Sequence, residues 1–313
     1  MVKTVVIILL VLLMSGCAIF MYHKIKLIKE KELLTPLGKM VSVNEYNMSI
    51  YTVGKGEKTL VFLAGGGTCS PILDFKSLYS LLSNDYRIVV VEKFGYGFSD
   101  IVNVERPIEA ILQETRKGLA VAQVDGPYIL CPHSMSGIEA LYWAQTYPEE
   151  VEAIIGIDMA VPAAYENYKI NMPFIRLGQF AANIGLTRVI SNISESDAIK
   201  YGSLSDEEKE IYQAIFYSRT LTVTMINEVK SILENASKVG SYDKPNIPML
   251  LFISNGKGTG WDKEEWLSFQ KEYINGIDNG KCIELNCTHY IHNHEYERMS
   301  QEMMQFINDL SFN

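Results

Sequence analysis

Cysteine is scarce and scattered in this 313-residue chain, at positions 17, 69, 131, 282 and 287. Five thiols at such spacings make no disulfide framework, and the absence of any C-x-x-C pair speaks against a structural zinc site. Cys282 and Cys287 are close enough in sequence for one bridge if the domain is exported, though nothing requires it. Long basic runs are missing from the body of the chain, and 28 Lys plus Arg stand against 37 Asp plus Glu, a formal charge of −9. That balance argues against a nucleic-acid binder. Internal repeats and low-complexity tracts are absent as well. What is there is 48% hydrophobic and 21% charged, the makeup of a globular protein. The length suits one large α/β domain or two smaller ones.

The first thirty residues are a separate object. Val5 to Met21 is almost entirely apolar, interrupted only by Ser15, Gly16 and Cys17. With Thr4 and Tyr22 the run matches a bilayer's hydrocarbon core of roughly 30 Å at about 1.5 Å per helical residue. Tyr22 sits where an interfacial aromatic belongs, and Lys24, Lys26, Lys29 and Lys31 follow. The expectation is an uncleaved, single-pass N-terminal anchor. A lipoprotein site at Met14-Ser15-Gly16-Cys17 fits less well, because Ala18 to Tyr22 stay apolar where a mature lipoprotein turns polar. A cleaved signal also fits poorly, since no small-x-small site precedes a polar stretch. The lysines behind the segment lean toward a cytoplasmic C-terminal domain, although charges on both flanks make a single span a poor test of side. Residues 1–32 carry five Lys and two Glu, a charge of +3, which leaves −12 for the rest. A basic stalk under an acidic body suits contact with anionic lipid.

From Gly38 onward short apolar runs alternate with helix-length segments. Met40–Val43 and Met48–Val53, with turn residues Asn44 to Asn47 between them, predict an opening hairpin. Runs at 59–64, 87–91, 128–131, 153–157, 248–253 and 281–285 read as strands buried on both faces. Helices are expected near 106–123, 135–147, 262–275 and 294–311, the last carrying Met299, Met303, Phe306 and Leu310 at helical spacing. This alternation predicts a mostly parallel α/β sheet with right-handed crossovers and helices on both faces. Residues 162–240 hold no convincing strand. They read as helical, with Ser205 and Glu208 forming a capping box, and are too long for a simple connection. A separate helical subdomain over the strand ends is the expectation.

The chemistry gathers at those strand ends. Pro132-His133-Ser134-Met135-Ser136-Gly137 follows an apolar strand and opens a helix. A serine in such a turn projects its hydroxyl into the open, and the next backbone N–H, that of Met135, can face an oxyanion at the positive helix end. Crowding there demands small neighbours; Ser136 qualifies and Pro132 falls at a strand end. The alternative is a plain serine-rich helix cap. Gly65-Gly66-Gly67 follows the first buried strand and lets backbone N–H groups approach a substrate, with Gly66 the natural second oxyanion donor. Gly95-x-Gly97, after the next strand, is expected to shape a turn rather than to take part in chemistry.

A serine nucleophile needs a base. His23 belongs to the stalk, and His133 points away from its neighbour's hydroxyl. His289, His292 and His294 follow the last strand, and His289, nearest the strand, is the first choice, with His292 and His294 behind it. A metal site in this trio lacks supporting ligands at useful spacing. For the acid that orients the imidazole, Asp158 ends a strand on the same sheet edge. Asp262 is the alternative, although with Glu265 it also reads as a helix cap. Asp158 is favoured on its strand-end placement, and a merely structural carboxylate is its competitor.

Over 38–311 these residues resemble the α/β-hydrolase superfamily, in its serine-nucleophile branch with a helical cap, and specifically a membrane-anchored bacterial-type member. The glycine loop, the G-x-G-x-S turn at 95–99, the nucleophile turn, the helical insertion and the late histidine carry the likeness, in the superfamily's order of nucleophile, acid and base. Departures are Pro132 and Ser136 for elbow glycines, Ala64 where many members have histidine, Thr288 where glycine commonly precedes the base, and no aspartate directly after the seventh strand. With the anchor and stalk read at 1–32, the resemblance implies a hydrolase core at 38–161 and 246–313 and a cap at 162–245. It implies acyl transfer to water, with Ser134 attacking a carbonyl, His289 moving the proton and the acid holding the ring. No cofactor and no metal are implied. A Ser rather than an Asp nucleophile speaks against dehalogenase or epoxide hydrolase chemistry. The expected partners are a small-molecule acyl substrate and, through the N-terminal helix, the membrane. Carboxylester cleavage leads, with peptidase, thioesterase, acyltransferase and carbon–carbon hydrolysis as variants. A ligand-binding or signalling protein of the same fold with little turnover is the rival. Tyr165, Tyr168, Phe174, Phe180, Tyr212, Phe216 and Tyr217 are candidates to line an acyl pocket, or else cap core.

Overall fold

A computed structural model describes residues 2–310. Met1 and the expected helix end at 311 lie outside the described residues. Helix α1 (Val2–Glu30) carries the apolar segment and the lysine-rich stretch without a break, and a 3-10 turn at Lys31–Leu33 ends it. It is long and apolar enough to cross a membrane by length and composition, and none of its apolar part is buried against the other described residues.

β1 (Lys39–Val43) and β2 (Tyr46–Val53) form an antiparallel hairpin. Its turn is two residues, Asn44 and Glu45, both at positive φ (52° and 70°), and so tighter than the four-residue turn the sequence suggests. Such primed turns match the twist of paired strands. Then come β3 (Thr59–Leu63), the short helices α2 (Pro71–Asp74) and α3 (Lys76–Leu82), β4 (Arg87–Glu92), α4 (Ile108–Ala122), β5 (Tyr128–Pro132), α5 (Ser136–Thr146) and β6 (Val151–Ile157). The strands order as β1-β2-β4-β3-β5-β6, completed by β7 (Met249–Ile253) and β8 (Gly280–Glu284), and every pairing from β4 to β8 is parallel. This is the expected α/β sheet.

The apolar runs form strands because each is covered on both faces. Val61, Leu63, Val89 and Val91 point into one cluster with residues of α4 and α5. Their neighbours Leu60, Phe62, Ile88 and Val90 point the other way, onto α2, α3 and the C-terminal helices. A buried aliphatic side chain of this kind contributes about 1.5–3 kcal/mol, so period-two alternation is replaced by continuous apolar runs.

Between β6 and β7 the chain is helical: a 3-10 turn at Pro162–Tyr165, α6 (Met172–Asn183), a 3-10 turn at Leu186–Val189, α7 (Asp197–Lys200), α8 (Asp206–Arg219) and α9 (Val223–Gly240). Ser205 and Glu208 make both bonds of a capping box on α8. After β7 come α10 (Lys263–Ile274), and after β8 α11 (Ile291–His294) and α12 (Tyr296–Leu310). The helix expected at 294–311 is α12, with the short α11 just before it and Glu295 between them. α2 and α3, too short to show a periodic stripe, are additions to the sequence reading.

The inserted helices are fastened to the sheet through buried charge. Lys93, just past β4, lies 2.5 Å from Glu228 of α9 and 3.4 Å from Glu139 of α5, all three nearly inaccessible. Tyr96 donates to the other Glu228 oxygen at 2.6 Å. Removing one partner of such a group strands a buried charge, at a cost of about 3–5 kcal/mol.

Candidate active site

Strand β5 runs straight into the turn that carries Ser134. The residue takes φ 54°, in the left-handed region that a side chain normally avoids. Two glycines make room for this bend. A Cβ on Gly65 would fall 2.5 Å from the Ser134 Cβ, and one on Gly137 would fall 2.2 Å from the Ala160 carbonyl oxygen. Close approach thus occurs at Gly65 and Gly137, while the usual glycine positions hold Pro132 and Ser136. Pro132 is the last residue of β5, in register with Leu63. Ser136 is more than small: its hydroxyl, bonded at 2.6 Å to the Leu63 carbonyl and at 2.8 Å to that of His133, ties the turn to β3.

The Ser134 Oγ lies 2.7 Å from His289 Nε2, and His289 Nδ1 lies 2.6 Å from Asp158 Oδ2. Asp158 stands one residue past β6 at φ 48° and is fully buried. Its second oxygen accepts from the Ser254 backbone N–H and the Trp266 indole N–H, each at 2.7 Å. Both carboxylate oxygens are therefore held, which fixes the plane presented to the imidazole. Asp262, the other candidate acid, serves elsewhere: it caps α10, accepting from the Glu265 N–H at 2.9 Å.

Of the remaining histidines, His292 Nε2 is 2.8 Å from Asp74 and His294 Nε2 is 3.0 Å from Asp197, so neither approaches Ser134 through a hydrogen bond. Among the described residues no group of three or more His, Cys, Asp or Glu side chains is arranged to hold a metal ion. His133 has a part the sequence does not reveal. Burial holds it well below the ordinary histidine range, and His289 and His292 nearby push the same way. The ring is therefore neutral, and its Nε2, 3.2 Å from the His289 carbonyl oxygen, donates there and pins the His289 backbone. Trp266 is likewise missed by sequence reasoning, because in a helical stripe it reads as core.

The glycine loop after β3 borders the same site. Neither the Gly66 nor the Met135 backbone N–H donates to another protein group among the described residues, and both residues line the cavity in front of Ser134. That cavity, of about 290 Å³, has Tyr165, Tyr168, Ile175, Leu221 and Met225 on its far wall. Of the aromatic candidates only Tyr165 and Tyr168 face it. Phe174 and Phe180 are solvent-exposed, and Tyr212 is buried with its hydroxyl toward Asp74. The turn after β4 wraps Glu92: a Cβ on Gly97 (φ 48°) would overlap the carboxylate, which accepts from the Phe98 N–H at 2.9 Å. Burial pushes Glu92 up to about 7. The Gly97 N–H donates to the Cys69 carbonyl at 2.9 Å, so the turn supports the glycine loop from behind. Cys282 and Cys287 are free thiols.

Comparison with known proteins adds the lineage. The chain is 34% identical over 305 residues to YbdG of Bacillus subtilis, an uncharacterized protein, covering 95% of this chain and 94% of that one. The chain belongs to the YbdG family. No family model matches it. Among solved structures, an epoxide hydrolase from Vigna radiata superposes with a TM-score of 0.66 at 17% identity, covering 87% of this chain and 97% of the other. A candidate lipase from Acinetobacter baumannii superposes with a TM-score of 0.67 at 14% identity, covering 93% and 97%. Likeness at that identity shows the fold alone: this chain has the α/β-hydrolase fold.

Proposed function

We propose that this protein is a serine hydrolase of carboxylesterase type, tethered to a membrane by α1, that cleaves a small ester or related acyl substrate through an acyl-enzyme. The observation that carries the reading is the unbroken run of contacts from the Ser134 hydroxyl through the His289 ring to the Asp158 carboxylate. In this reading His289 takes the Ser134 proton as the hydroxyl oxygen attacks the substrate carbonyl, then returns it to the leaving group. Asp158 keeps the proton of Nδ1 in place and favours the imidazolium that forms. The free N–H groups of Gly66 and Met135 receive the oxyanion, each worth about 3–4 kcal/mol in the transition state. Water then repeats the sequence on the acyl-enzyme, with His289 as base. No step calls for a cofactor or metal.

The strained φ at Ser134 supports the reading, since a fold maintains such a conformation only where the surroundings over-determine it. The apolar cavity wall suits an acyl chain and offers little to a charged substrate. The insertion between β6 and β7 acts as the cap, with residues 162–245 closing the cavity over the 38–161 and 246–313 core. Hydrolysis of p-nitrophenyl esters of graded chain length tests the proposal. Turnover by the full chain that disappears in Ser134→Ala is expected. Turnover unchanged in that variant refutes the nucleophile, and binding of esters without turnover favours the ligand-binding alternative.

A further inference from the structure

Helix α6 is apolar on both sides. Ile175 lines the cavity, and Gly178 lets the helix approach the cavity residue Leu221 so closely that a Cβ there would lie 3.1 Å from its Cδ1. On the outside, Phe174, Leu177 and Phe180 are 70%, 63% and 60% exposed, a stripe at helical spacing left open by the described residues. Leu186, Val189 and Ile190, in the turn that follows, are exposed too. Contiguous exposed apolar surface of this kind marks an interaction site in a soluble domain.

The structure also indicates what covers it. The turn after α6 is clamped to the end of α1. The Arg188 guanidinium donates to both Glu30 oxygens, at 2.8 and 2.5 Å, and to His23 Nδ1 at 2.9 Å, and stacks 4.0 Å from the Tyr217 ring. Gly185 is needed there, because a Cβ would fall 2.3 Å from that of His23. His23 is where the apolar run of α1 stops, so a membrane spanned by α1 begins beside residues 185–190. Lys24 and Lys29 on α1 and Arg176 on α6 are exposed, cations of the kind that favour an interface with anionic lipid.

We propose that the outer face of α6 and the 186–190 turn sit in the headgroup–acyl boundary of the bilayer, and that the cavity behind α6 receives an amphiphilic acyl lipid from the membrane. This rests on reading α1 as a membrane span and deepens the hydrolase proposal. The one-helix thickness of the wall puts the lipid phase on one side and the Ser134 cavity on the other.

The test uses the full chain reconstituted in phosphatidylcholine–phosphatidylglycerol vesicles, with tryptophan introduced by Leu177→Trp or Phe180→Trp. Carbonate extraction comes first: release of the chain refutes the span, and the seating falls with it. For a retained chain, the added tryptophan is expected to emit blue-shifted and to be quenched when the lipids are brominated. Emission as in water, or a blue shift without bromolipid quenching (burial against a second copy or another protein surface), overturns the proposal. This arm needs no turnover, so a failed hydrolase reading leaves it decided. For the substrate, the Phe174→Asp/Leu177→Asp/Phe180→Asp variant is expected to lose at least tenfold on a long-chain ester embedded in the vesicles and to stay within twofold on a short soluble ester. Equal loss on both, or on neither, contradicts delivery from the membrane.

Discussion

Two buried aspartate–histidine pairs stand side by side in this molecule. In one, Asp158 and His289 meet at 2.6 Å; in the other, Asp74 and His292 meet at 2.8 Å. Both imidazoles sit around the same His133 ring, with centroids 4.6 and 4.8 Å away. They differ in what the far ring nitrogen sees. His289 Nε2 faces the Ser134 hydroxyl at the cavity, whereas His292 Nδ1 has no hydrogen-bond partner among the described residues and is sealed beside Phe75. A carboxylate–imidazole pair is thus common structural material. What sets the first apart is a hydroxyl on a strained turn and open space in front of it.

Breaking the first pair is expected to give the largest effects. Ser134→Ala and His289→Ala each lower ester turnover by at least about 10³-fold in steady-state kinetics while the thermal midpoint moves little. Asp158→Asn follows with about a 10²–10⁴-fold loss in kcat, through the wrong imidazole tautomer. The second pair sharpens the contrast. His292→Asn leaves Asp74 short of a donor and lowers unfolding free energy by about 1–3 kcal/mol in urea titrations, with turnover retained. Asp262→Ala costs about 1 kcal/mol through loss of the α10 cap and spares activity, where an acid of the site loses it.

The last effect concerns pH. Glu92 is held at about 7 in the fold, above its ordinary 4.5, so the fold favours the protonated carboxyl. Its contribution is fully present below about 4.5 and is lost as pH rises through 7. The thermal midpoint of Glu92→Gln relative to the unsubstituted protein is therefore expected to rise between pH 5 and pH 8. A constant difference contradicts a buried, proton-holding Glu92.

Much of this was legible in the sequence because the sheet is buried on both faces. Runs such as Leu60–Leu63 and Met249–Ile253 contain no polar residue, and strand ends are where a parallel sheet gathers its functional groups. Ser134, His289 and Asp158 were all candidates on that ground, yet choosing between Asp158 and Asp262 was a matter of placement. The positive φ of Asp158 and its bonds to Ser254 and Trp266 involve partners about a hundred residues away, which no local pattern encodes. The same holds for the Arg188 clamp on α1, joined across 158 residues, and for α2 and α3, which supply Asp74 and are too short for periodicity. The sequence places the His133 ring away from the Ser134 hydroxyl, and only the tertiary structure brings the His289 carbonyl to that ring.

The most direct test is a fluorophosphonate probe followed by peptide mass spectrometry. A single phosphonate adduct on Ser134, absent in His289→Ala and undiminished in His292→Asn, is the predicted result. An adduct on another residue, or equal labelling of Ser134→Ala, contradicts the account.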